Sequence, residues 1–123
     1  MPIPLIETEL RSYVLTQLPS LTITIGDRPA VGSGIPVNLS TIYSQGGETE
    51  ERFRFRIITR ADSYQDCLST AEDIFNELHR LHSTDLTTFR LYMVTGERPQ
   101  FIGHEEDGSF LASADYVASF SRI

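Results

Sequence analysis

Few residues of this 123-residue chain have the type and spacing that bond-making requires. The single cysteine, Cys67, falls among apolar residues recurring three and four apart, where a thiol behaves as a small hydrophobe. Desolvation there raises its pKa and leaves it inert. His79 and His82 stand three apart on the same predicted helix, near enough to share a metal, yet no H-E-x-x-H signature surrounds them and no third ligand is placed beside them. Solvation of a helix end suits them better, since an imidazole there interacts well with the dipole. His104 stands before Glu105, Glu106 and Asp107 and reads as part of a solvated hairpin tip. Gly32-Ser33-Gly34 lacks the lysine and the following helix of a phosphate loop. Glu48, Glu50 and Glu51 miss the spacing of a calcium loop and read as a solvated acidic segment. The expectation is a protein that is not an enzyme and holds no cofactor and no metal.

Arginine is the informative residue. All ten basic residues are arginine, although the net charge is −7. Arginine's planar fork suits fixed, bidentate interface pairing, while codon bias explains the same count without function. Arg52, Arg54 and Arg56 alternate with Phe53, Phe55 and Ile57. In a strand that places three like charges on one face, which costs stability unless the face meets water or carboxylates. One reading is a solvated sheet face. The other is an interface where these arginines meet acidic groups of a neighbouring copy, with Glu48, Glu50 and Glu51 as candidate partners and Asp27 and Arg28 in the other long loop. Head-to-tail contacts of that kind close into rings when the rotation permits.

The elements that would hold this row follow from periodicity. Ile6, Leu10, Tyr13, Val14 and Leu18 mark a first helix, with Pro4 in its first turn and Pro19 ending it. Leu21 to Ile25 alternates as a strand, Val37 to Tyr43 is a weaker one, and Phe53 to Thr59 is a third. A capping box of Asp62 and Gln65 opens the main helix, whose stripe runs Tyr64, Cys67, Leu68, Ala71, Ile74, Phe75, Leu78 and Leu81. Strands follow at Phe89–Val94, Gln100–Glu105 and Phe110 to the C-terminus, the last pair joined through Asp107-Gly108. That final run is long enough to require a bend or bulge. Clustered strands predict one α+β domain over residues 1–123: a largely antiparallel or mixed sheet, with the N-terminal and central amphipathic helices on one face.

No apolar run reaches the roughly 20 residues of a membrane span, and the N-terminus has no basic, then apolar, signal pattern, so synthesis in the cytoplasm is expected. The acidic balance disfavours wrapping around nucleic acid.

The segment Pro99-Gln100-Phe101-Ile102-Gly103-His104-Glu105-Glu106-Asp107-Gly108, followed by an alternating final strand, resembles the turn of bacteriophage minor capsid and tail-terminator proteins. The long helix before it and the element order fit the same family. The resemblance implies a structural ring, commonly of six subunits, that caps the tail tube, stops its polymerisation and offers a joining surface to the head connector or stopper. It implies long loops, here residues 26–36 and 44–51, at the contacts, and an acidic lumen through which DNA passes. Assembly in the host cytoplasm and residence in the virion at the head–tail junction are implied with it. A head-completion or neck adaptor protein, a small non-viral binding module, and an enzyme with a metal at His79 and His82 are the competing readings.

Overall fold

A computed structural model describes residues 5–26, 28–32, 34–45 and 52–123. The first helix, α1, runs Ile6–Gln17 and buries Ile6, Leu10 and Val14, the spacing of a single stripe. It stops before Pro19, as the ring of a proline requires; Pro4 lies outside the described residues. The second helix, α2, runs Tyr64–Leu78 and buries Cys67, Ala71, Ile74, Phe75 and Leu78. Its cap is Ser63, whose hydroxyl accepts from the Asp66 N–H at 3.1 Å. The expected cap, Asp62, instead donates its backbone N–H to Asn38 Oδ1 at 3.2 Å.

Among the described residues seven strands form one sheet: β1 Ile23–Ile25, β2 Leu39–Ser44, β3 Arg52–Ala61, β4 His82–Asp85, β5 Phe89–Gly96, β6 Gln100–His104 and β7 Phe110–Arg122. Their order is β1-β2-β3-β7-β5-β4, with β6 also paired to β7. β1 and β2 are parallel and every other pair is antiparallel. The fold is α+β, as the clustering of strands predicts.

β7 is the spine. One edge pairs with β3 without a break from Phe110 to Ser119. The other is shared, β6 taking Phe110–Ser113 and β5 taking Tyr116–Arg122, with the Glu97 N–H bonded to the Asp115 carbonyl between them at 2.9 Å. The irregularity expected within the last strand falls instead on its partners, between Leu91 and Met93 and between Phe101 and Gly103. Each bulge lets a short partner follow a long twisted strand.

Phe53, Phe55 and Ile57 point from β3 into the core, as their alternation predicts, and meet Ala114, Tyr116, Ala118 and Phe120 of β7 beneath α2. Phe55 stacks between Phe53 and Tyr116 at 5.2 and 5.1 Å. Small residues Ala61, Ala71 and Ala112 gather around Cys67, which lets the start of α2 approach the sheet closely. The Cys67 thiol donates to the carbonyls of Thr59 and Phe110 at 3.3 and 3.5 Å, and burial pushes its pKa up to about 11. The core reading of this cysteine holds. Among the described residues no helix is long and apolar enough to cross a membrane.

Candidate functional site

Because Phe53, Phe55 and Ile57 occupy the core, Arg52, Arg54 and Arg56 stand on the opposite face of the sheet. Register sets their neighbours on β7: Arg52 faces Ser119, Arg54 faces Val117 and Arg56 faces Asp115. Arg56 finds its carboxylate within the chain, through Nε to Oδ1 at 2.7 Å and Nη2 to Oδ2 at 3.4 Å. The hydrogen bond to Asp115, and then its charge, raise the Arg56 pKa further. Arg54 is exposed beside an apolar neighbour, in a shallow cleft of about 360 Å³ shared with Gln45, Thr95, Glu97 and Asp115. Glu48, Glu50, Glu51 and Asp27 lie outside the described residues.

The same face holds an arginine that sequence reasoning missed. Alternation from Arg52 reaches Arg60 once β3 extends to Ala61, two residues beyond the predicted strand end. Arg60 is 1% exposed. It donates to three backbone carbonyls: Nε to Val37 at 2.9 Å, Nη1 to Pro29 at 2.6 Å and Nη2 to Pro36 at 3.0 Å. The glycine- and proline-rich loop is therefore folded down on the sheet. Arg28 fastens it again, pairing with Glu105 at 2.5 Å and reaching the Tyr43 hydroxyl at 3.4 Å. Glu105 is thus not part of a solvated tip.

The histidines differ from expectation. Helix α2 ends at Leu78, and Arg80, at φ 67°, reverses the chain so that His82 begins β4 opposite Met93. His79 Nδ1 accepts the Gly96 N–H at 3.0 Å while its ring stacks on Phe75 at 4.7 Å. The two therefore share no helix face. His104 is not alone: its ring packs 4.6 Å from Phe110 and 5.6 Å from Phe101. Among the described residues no three His, Cys, Asp or Glu side chains gather as a metal set would.

What the arrangement offers is contact chemistry. The cleft beside Arg54 opens to solvent, and Asp115 in its lining is held by Arg56.

A family model described as bacteriophage tail terminator protein matches residues 10–122. The fold is similar to that of a chain in the solved virion of a native gene transfer agent (GTA) particle, with a TM-score of 0.68, 12% identity, and coverage of 94% of this chain and 93% of that one. No curated protein matches the chain.

Proposed function

The chain belongs to the bacteriophage tail terminator family, and from that premise we propose that it forms a ring on the end of the tail tube, halts tube growth and presents the surface that joins the head connector. The observation that carries this reading is the family match, which runs from within α1 through α2 and all the described strands rather than over one short motif. A likeness of fold over nearly the whole length to a chain of the gene transfer agent virion agrees with it.

The ring is a homo-oligomer, in this reading a hexamer. Its partners are copies of itself, the tail tube protein on one side and the connector or stopper on the other. Arg54, with Arg52 two residues before it on the same face, marks a subunit contact. An exposed guanidinium such as that of Arg54 pairs well with a carboxylate of a neighbouring copy. The net charge of −7 suits a lumen that lets DNA pass, because like charges do not condense on one another. The protein resides in the virion at the head–tail junction after assembly in the host cytoplasm.

Electron microscopy of particles made without this chain tests the reading. Tails of uncontrolled length, detached from heads, are the expected product. Normal tails joined to heads would contradict it.

A further inference from the structure

The end of the domain opposite Arg54 carries a surface that a solvated monomer does not need. Tyr64, at the start of α2, meets Phe101 of β6 edge-on at 5.2 Å and Phe110 of β7 at 6.4 Å. His104 closes the group against Phe110. Much of this apolar surface is open: Tyr64 is 51% exposed and Phe101 38%. An exposed apolar patch inside a charged rim marks an interaction site. β6 adds an unfinished edge, since it pairs with β7 on one side and no described strand pairs on the other. The far edge of the sheet is treated differently, because Arg11 Nε covers the Ile23 carbonyl of β1 at 2.6 Å.

The rim is acidic, and Arg28 beside it is already paired with Glu105. Asp62 and Asp66 flank Tyr64 in the chain, Glu106 and Asp107 follow His104, and all four are exposed. Arg54 lies elsewhere, exposed in a cleft that Glu97 and Asp115 also line, with Asp115 already held by Arg56. Arg54 faces Val117, seven residues along β7 from Phe110. At 3.4 Å per residue the two ends are about 24 Å apart, too far to meet within one chain.

We infer that the acidic, ring-lined end around Tyr64 and Phe101 is the socket that receives Arg54 of the next copy in the ring. The inference rests on the ring reading above and names the contact that would build it. A guanidinium can lie flat on an aromatic ring while its N–H groups fork to a carboxylate, which a lysine cannot match. An exposed cation at one end and an acidic socket at the other make a head-to-tail contact that uses every subunit twice, and such a contact closes into a ring when the rotation permits.

A charge-swapped pair of variants tests it. In Arg54→Glu the arginine end turns acidic; in Asp62→Arg/Asp66→Arg the socket turns basic. Each alone should assemble at least tenfold less than wild type, measured by light scattering under the conditions where wild-type rings form, on tubes if tubes are needed. Mixed in equal amounts they should assemble to within about twofold of wild type, because every contact in an alternating ring is then opposite in sign. The rescue requires both variants to be folded, so misfolding cannot imitate it. The inference is overturned if either variant assembles normally alone, or if the mixture stays dispersed while circular dichroism shows both folded. It is also overturned if the socket variant forms rings but loses tube binding, since the socket would then face the tube protein. Wild-type rings with no rescue in the mixture sink this contact alone; wild-type protein that neither forms rings nor caps tubes sinks the functional reading as well.

Discussion

Arg60 Nη1 donates to the carbonyl oxygen of Pro29 at 2.6 Å, so a buried cation on the sheet holds a loop that local sequence gives no reason to be held. Two further carbonyls, of Pro36 and Val37, share the same guanidinium. Arg60→Met should lower stability by about 3 kcal/mol, since hydrogen bonds from a charged donor are worth roughly 1.5–3 kcal/mol each and partly exposed carbonyls regain water. Arg60→Lys should recover only part, because one ammonium cannot span the fork. Urea denaturation measures both. A loss below about 1 kcal/mol for Arg60→Met would remove the staple from the description.

A β-carbon at Gly96 would stand 2.6 Å from Cδ1 and Cε1 of Tyr116. Gly96→Ala should therefore cost about 1–3 kcal/mol, as overpacking does in a close-packed core. The Tyr116 hydroxyl is buried without a hydrogen-bond partner among the described residues, and desolvation, with the nearby Glu72 charge, raises its pKa. Tyr116→Phe keeps the stack on Phe55 and removes an unsatisfied group, so thermal melting should show no loss and a gain of up to about 1 kcal/mol. A marked loss would mean the hydroxyl has a partner.

The Cys67 thiol, raised from an ordinary value of 9.0 to about 11, should be silent to thiol reagents in the native protein and react at once on unfolding. The folded value is the higher one, so the folded state binds more protons between the two. This contribution to stability is complete below about pH 9 and is lost as pH rises toward 11. Native labelling at pH 8 as fast as in denaturant would contradict it.

Two arginines on one face should respond differently to reversal. Arg54→Glu should leave circular dichroism and stability near wild type, because Arg54 is exposed and faces Val117. Arg56→Glu sets two carboxylates across β3 and β7 and breaks the pair with Asp115, whose side chains are 44% and 39% exposed; after solvent screening the loss should be about 0.5 kcal/mol. Leu78→Asp, at a side chain 0% exposed, should unfold the domain. Chemical denaturation of the three variants separates surface from core.

Periodicity carried the fold as far as periodicity reaches. The alternation of Phe53, Phe55 and Ile57 and the stripe from Cys67 to Leu78 are local patterns, and each landed on the core face its spacing predicts. β4 was not legible, because His82-Ser83-Thr84-Asp85 has no apolar alternation and the chain reverses at Arg80, a residue that carries no turn signal. Leu81 looks helical by spacing yet packs on the core from beyond the helix end. Arg60 escaped notice because a loop folded over a sheet is a long-range event, invisible to a strand's own pattern. The ring cluster is harder still, drawing Tyr64, Phe101 and Phe110 from three separate elements.

The length distribution of tail tubes grown from purified tube protein, with and without this chain, tests the capping role most directly. Tubes grown with it should be shorter, and labelled copies should sit as a single ring at one end. Tubes of unchanged length, or label spread along their sides, would contradict the role assigned here.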